Sequence, residues 1–235
     1  MSKILEQPYG QLVDKGFDLR TAMAEASRCL MCHDEPCSKG CPAKTDPGKF
    51  IRSLRLRNIK GAAETIRENN PLAGCCSLVC PYDKLCEEAC SRTGIDKPIE
   101  IGKIQRFLVE QEKSLGMKIL KAGPPKGKKV LCIGAGPASL SCAAALAGQG
   151  YQVTVMEALA KPGGVLSYGI NPTRLPQDMV DFDINLIKEL GVRFECGKKV
   201  APEEIAALSK QYDSVFVGVG LWKSKVADVP GKDLD

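Results

Sequence analysis

At 235 residues, with 44% hydrophobic and 26% charged, the chain is long enough for one large globular domain or two small ones. Its net charge of +5 is modest, and with no interleaved aromatics or recognisable motif it argues against nucleic acid as a partner. No apolar run approaches the roughly 18 residues of a membrane span. The opening MSKILEQPYGQLVDKG has no apolar signal core, so a cytoplasmic protein with no membrane partner is expected. In that reducing setting the twelve cysteines are not expected to be disulfides.

In chain order, residues 1–18 read as a polar arm. Asp18 is placed to cap a helix, and LRTAMAEASRCLMC continues at helical period into the first cysteines. Cys29, Cys32, Cys37 and Cys41 follow as C-x2-C-x4-C-x3-C-P, on a loop broken by Pro36, Gly40, Pro42, Pro47 and Gly48. Helices are predicted over 48–60 and 61–69, with Asn70-Pro71 ending the second. Cys76, Cys80, Cys86 and Cys90 come next. Their spacing puts each of the pairs Cys76/Cys80 and Cys86/Cys90 one helical turn apart. IGKIQRFLVEQEKSLG closes this part as a further helix.

KAGPPKGKK reads as a linker. Beyond it strands and helices alternate: KKVLCIG, PASLSCAAALAGQG, YQVTVMEA, PQDMVDFDINLIKELG, VRFECG, PEEIAALSKQ and DSVFVGVG. That alternation predicts a parallel α/β sheet. The expected fold class is α plus α/β. A helical iron–sulfur domain over residues 1–122 precedes a partial Rossmann-like FAD-binding domain over 123–235.

The cysteines set the chemistry. A thiolate-rich set with Pro directly after Cys41 and Cys80 points to iron–sulfur clusters, in a variant of the compact ferredoxin run. Zinc is the competing metal, but only Cys29 and Cys32 have the C-x2-C spacing of a zinc knuckle, and His33 is the single histidine. The stretch KTDPGKFIRSLRLRNIKG carries Lys44, Lys49, Arg52, Arg55, Arg57 and Lys60 among apolar residues at helical spacing. It is either a solvated basic face or a dock for an acidic partner or cofactor phosphates.

Gly134-Ala135-Gly136 follows an apolar strand and opens a helix. Gly134 allows a tight turn, and Gly136 lets backbone approach a pyrophosphate met by the helix N-terminus. Glu157 ends the second strand, where an acid binds a ribose hydroxyl. Ser139 stands in place of the third glycine. Gly163-Gly164, just beyond, suits FAD.

CLMC, EPCSKGCPAKTD, GAAETIRENNPL, VCPYDKLCEEAC, IEIGKIQRFL, IGAGPA and GGVLSYGI resemble the amino-terminal half of dihydropyrimidine dehydrogenases. They also resemble the flavin/iron–sulfur subunit of the bacterial NAD-dependent form and, more distantly, the glutamate synthase small subunit. The resemblance runs from about residue 20 to the end. It implies two [4Fe–4S] clusters with interleaved ligands. Cys29, Cys32, Cys37 and Cys90 would hold one. Cys41, Cys80, Cys86 and the amide oxygen of Gln105 would hold the other. The resemblance leaves Cys75, Cys76, Cys132, Cys142 and Cys196 as non-ligands, the last three as small core residues. Gln at this position, rather than Glu, favours the dihydropyrimidine dehydrogenase type. For FAD the resemblance implies Gly134, Ala135, Gly136, Pro137 and Ala138 at the pyrophosphate, Glu157 at the ribose, and Gly164 and Val165 near the flavin. Val79, Arg174 and Val200 are implicated as well. The family's I-P-x-F-R-L-P stretch is here Ile170-Asn171-Pro172-Thr173-Arg174-Leu175-Pro176, so flavin packing departs at Thr173.

The resemblance implies an electron relay. NAD(P)H would reduce FAD, and the clusters would pass single electrons to a partner holding FMN and the pyrimidine site. No residue reads as a catalytic acid, base or nucleophile. The chain stops at ADVPGKDLD, where the family enters its NAD(P)H domain, so the region completing the FAD and NAD(P)H sites is expected from elsewhere, in cis or in trans. A glutamate-synthase-like electron donor and a non-enzymatic cluster-binding or assembly module are the alternatives.

Overall fold

The computed structural model describes residues 16–221. The arm up to residue 15 and the ADVPGKDLD tail lie outside the described residues. The first part is helical: α1 (Leu19–Ser27), α2 (Pro36–Lys39), α3 (Pro47–Arg55), α4 (Ile59–Arg67), α5 (Ala73–Val79) and α6 (Ile101–Ser114). The second part alternates β1 (Lys129–Ile133), α7 (Pro137–Gly148), β2 (Gln152–Glu157), α8 (Val165–Tyr168), α9 (Gln177–Glu189), β3 (Arg193–Cys196), α10 (Ile205–Leu208) and β4 (Ser214–Val217). The four strands form one parallel sheet in the order β3-β2-β1-β4. This is the expected α plus α/β class.

Local chemistry explains the element ends. Asp18 Oδ1 accepts the Thr21 amide at 2.7 Å and the Thr21 hydroxyl at 2.6 Å, a reciprocal cap on α1. The helix expected to run into the cysteines stops at Ser27, and Met31 takes a left-handed φ of 57°. The two helices expected over 48–60 and 61–69 are present as α3 and α4, but the break between them falls at residues 56–58, a few residues earlier than expected. Arg57 turns left-handed at φ 59°, and the Asn58 side chain caps α4 by accepting the Gly61 amide at 2.9 Å. Cys76 and Cys80 lie a turn apart on α5 as expected, but Cys86 and Cys90 do not share a helix. They sit in turns between the short 3-10 segments Tyr82–Lys84 and Ser91–Gly94.

β1 and β2 are buried on both faces, with only their first residues exposed, as parallel strands require. Cys132 on β1 is a core residue as expected and Cys142 on α7 is half-buried, but Cys196 is exposed, because it ends β3 at the edge of the sheet. The expected linker is pinned rather than free: Gly123 donates to Ala147 O and Lys126 to Gly150 O, at 3.1 and 2.9 Å. One hydrophobic core runs from Ala22 on α1 through Ile66, Leu108 and Leu140 to Val192, joining both parts. α9 packs on α5 and α7, so the cysteine-bearing helix lies directly against the α/β part. Part of the basic stretch is paired locally. Lys49 pairs with Glu68, Arg52 with Glu35 and Lys60 with Glu64, while Arg55 donates to Cys29 O. That favours a solvated face over a dock. Among the described residues no helix is long and apolar enough to cross a membrane.

Candidate iron–sulfur and dinucleotide sites

Cys29, Cys32, Cys37 and Cys90 line one small cavity beside Gly48 and Ile99. The polypeptide is clamped around it. Arg92 Nη1 donates to Arg28 O and Arg28 Nη2 to Lys97 O, both at 2.8 Å. These bonds join the segment carrying Cys29 to the one carrying Cys90. A second group forms alongside, where Cys80 faces Cys41 and Cys86. Of the residues expected as ligands, Cys29, Cys32, Cys37 and Cys90 thus line one cavity, while Cys80 is within electrostatic reach of Cys76, Cys86 and Cys41, and Cys86 also of Cys37.

The electrostatics of these thiols ask for a positive core. Burial, then the neighbouring Cys90 and Cys29, push the Cys37 thiol up to about 11. Burial, Glu87 and Cys41 push Cys86 up to about 12. Cys29 is raised by burial and, among other neighbours, by Cys90 and Cys32. As bare thiolates these groups would repel one another in low dielectric, whereas bound iron deprotonates and neutralises them. Among the described residues no three Cys, His, Asp or Glu side chains converge as a single metal ion requires. A four-iron core presents four separate irons and takes a wider ring of ligands.

Gln105 projects from α6 onto α5. Its Nε2 donates to Ala73 O at 3.2 Å, and Oε1 is the acceptor end of the amide. The Cys76 thiol meets the side chains of Cys80, Asn70 and Gln105. Hydrogen bonding from Cys80, and more weakly from Asn70 and Gln105, draws it down to about 6 against the effect of burial. Cys80 is raised correspondingly, chiefly by sharing that proton. Cys75 differs from its neighbour: it is buried, and its thiol is raised by burial and by Asp183. Cys75 and Cys76 look alike in the sequence, and only helical phase separates them.

The C-terminal ends of β1 and β2 open onto a cleft of about 530 Å3, within the range of small-ligand sites. Of the expected dinucleotide residues, Gly134, Ala135, Gly136, Pro137, Glu157, Gly164, Val165 and Val200 line it. Gly134 has φ +90°, and a Cβ there would lie 2.6 Å from Gly218 O. A Cβ on Gly136 meets nothing within 4 Å. Gly136 is therefore not required by packing, and the open space before it is what a pyrophosphate needs. Pro137 starts α7 with Gly136 as its cap residue, so the helix N-terminus faces this space. The second glycine pair is welded to the first: Gly163 donates to Ala135 O at 2.8 Å, and a Cβ on Gly164 would lie 2.8 Å from Gly136 Cα.

Glu157 is buried, and its two oxygens accept the Ala135 and Leu159 amides at 2.6 and 2.8 Å. It braces the turn as well as facing the cleft. Ser139 is fully buried against Gly218, whose Cβ would sit 2.3 Å from its Oγ. Ala138 lies on the first turn of α7 outside the cleft lining. Val79 and Arg174 are also outside it and meet each other, Arg174 Nη2 donating to Val79 O at 3.4 Å. The departure at Thr173 is a closed polar turn, its amide and hydroxyl both bonded to Asn171 Oδ1. Tyr168, Lys199 and the Gly218–Leu221 segment are among the other lining residues, and none of them was expected there from the sequence. The paired glycines after β4 were the available signal.

The first part of the chain matches the family model of dihydropyrimidine dehydrogenase domain II with its 4Fe-4S cluster, over residues 7–117. The second part matches an NAD(P)-binding Rossmann-like domain over residues 132–189. Together these define an oxidoreductase polypeptide of the electron-transfer class. The chain is 48% identical over 217 residues to the NAD-dependent dihydropyrimidine dehydrogenase subunit PreT of Salmonella typhimurium strain LT2, covering 92% of this chain and 52% of that one. It is likewise 48% identical over 217 residues to the PreT subunit of Escherichia coli K12, covering 92% of this chain and 53% of that one. The chain is similar to these dihydropyrimidine dehydrogenase subunits over nearly all of its own length. It spans about half the length of the curated relatives it matches. A solved histamine dehydrogenase from Rhizobium sp. 4-9 overlaps at 24% identity and TM-score 0.37, covering 46% of this chain and 16% of that one, a likeness that decides nothing.

Proposed function

We propose that this chain is the relay portion of an NAD-linked dihydropyrimidine dehydrogenase system, with two [4Fe–4S] clusters and FAD. The observation that supports the proposal is the placement of a four-cysteine cavity, with further cysteines alongside it, and a dinucleotide cleft on one continuous core. Bound flavin and clusters would supply conversion of a hydride's two electrons into single-electron steps. The protein's part is to hold and insulate. Cys29, Cys32, Cys37 and Cys90 would ligate one cluster, and Cys41, Cys80, Cys86 and Gln105 Oε1 the other. Gly136 and the α7 N-terminus would take the pyrophosphate, and Glu157 a ribose hydroxyl. Residues 1–122 and 123–235 would be the cluster and flavin domains. The acceptor would be an FMN-bearing pyrimidine-reducing subunit in the cytoplasm, in keeping with the relatives being named as subunits.

Anaerobic purification tests this. About eight iron and eight sulfide per chain are expected, with a flavin absorbance when FAD is supplied. Stoichiometric zinc with little iron would end the cluster reading. Two clusters with no flavin affinity would favour a non-enzymatic cluster module.

A further inference from the structure

Ala73 and Cys76 fall on one face of α5, at i and i+3, and Cys80 caps the end of the helix, its amide donating to Cys76 O. Gln105 crosses that face from α6, anchored through Nε2 to Ala73 O at 3.2 Å. The Cys76 thiol stands between the Gln105 amide and Cys80 and touches both side chains. Cys80 in turn faces Cys41 and Cys86. A fourth thiol therefore sits at the one corner of this group that the proposed function assigns to an amide. Its neighbour Cys75 cannot serve, since Asp183 engages it on the buried side of the helix.

We propose that Cys76 is a reserve ligand of the second cluster, placed to take the iron bound by Gln105 when the amide is absent. This rests on the two-cluster reading above. The exchange is a ligand substitution. The amide oxygen leaves, the thiol releases its proton to solvent, one iron–sulfur bond forms, and no electron changes hands. α5 already presents Cys76 and Cys80 one turn apart, so the exchange needs a side-chain rotation and not a refolding of the helix. It replaces a neutral donor by a thiolate, so the cluster gains one negative charge and becomes harder to reduce.

The test uses anaerobically purified full-length chain with Gln105→Ala, with and without Cys76→Ser. Iron is counted, and midpoint potentials are read by EPR-monitored titration. Gln105→Ala is expected to keep the parent iron content while one cluster shifts to a more negative potential and the other stays in place. Adding Cys76→Ser is expected to remove that cluster's fourth iron or the whole cluster, whereas adding Cys196→Ser, on the exposed edge of β3, changes nothing. If the single variant's potential is unchanged or rises, or if the double variant matches the single one in iron and EPR, Cys76 is not a reserve ligand. The potential of the single variant decides the matter even if the double variant fails to fold. Parent protein lacking two clusters would instead overturn the proposed function, so the two failures are separate.

Discussion

The Arg67 guanidinium on α4 donates through Nη1 to Oδ1 of Asp183 on α9, at 2.9 Å and 116 residues apart in sequence, with both side chains sealed from solvent. Nε of the same arginine donates to Glu112 Oε2 on α6 at 2.9 Å. Asp183 also accepts the Gly74 and Cys75 amides at 3.2 and 2.8 Å, filling the open N-terminus of α5. One carboxylate of the α/β part therefore anchors the helix that carries Cys76 and Cys80. Removing one member of a buried charge network leaves the others unpaired, which costs about 3–5 kcal/mol.

Asp183→Ala is accordingly expected to lower unfolding free energy by about 3–5 kcal/mol. Asp183→Asn, which keeps an acceptor for the amides, should lose less. Denaturant unfolding with the cofactors held constant reads both. Equal losses would mean that the amide bonds contribute nothing beyond the charge.

The two glycines of the turn predict opposite results. Gly134→Ala meets backbone at 2.6 Å and a φ of +90°, so it should destabilise the fold itself. Gly136→Ala meets only open cleft and should leave the melting temperature within a degree or two, about the effect of a neutral surface change. It should still weaken dinucleotide binding by about tenfold or more, because its methyl occupies the pyrophosphate's approach. Isothermal titration with FAD beside thermal melting separates the two effects.

Sequence patterns revealed the parts with strong local signals. The alternation after KAGPPKGKK set the parallel sheet, since β1 and β2 are continuous apolar runs ended by glycine or acid. Cysteine spacing pointed to metal ligands but not to which cysteines lie together. Cys90 joins the first group because Arg28 and Arg92 clamp residues 64 apart, and spacing does not encode that. The same limit hid Asp183, which reads as one acid on an amphipathic helix, and hid the role of Cys76. Both act across helix–helix contacts. The break between α3 and α4 was placed a few residues late because the apolar period carries through Arg57, while a single left-handed residue and the Asn58 cap decide where the helices part.

Glu157→Gln tests whether the acid braces the turn or serves only a ligand. Both of its oxygens accept backbone amides, so a Gln side chain must aim its NH2 at one of those donors. The resulting unsatisfied pair should cost about 1–3 kcal/mol in flavin-stripped protein and also reduce FAD affinity. Stability equal to the parent's, with affinity alone reduced, would restrict Glu157 to a ribose contact.

Ser139→Ala should stabilise. Ser139 stands where the dinucleotide motif has its third glycine, and it is fully buried on the first turn of α7. Among the described residues its Oγ has no hydrogen-bond partner, so it carries the desolvation cost of a hydroxyl without the bond that would repay it. Alanine removes that oxygen, fits inside the same space against Gly218 and has the higher helix propensity. A gain of about 1 kcal/mol in unfolding free energy is expected. Ser139→Gly should give back most of it, because glycine restores the motif but costs nearly 1 kcal/mol in a helix. FAD affinity should be unchanged in both variants, since Ser139 does not line the cleft. Loss of stability in Ser139→Ala, or weaker flavin binding, would show that the hydroxyl has a partner that binds only with the cofactor.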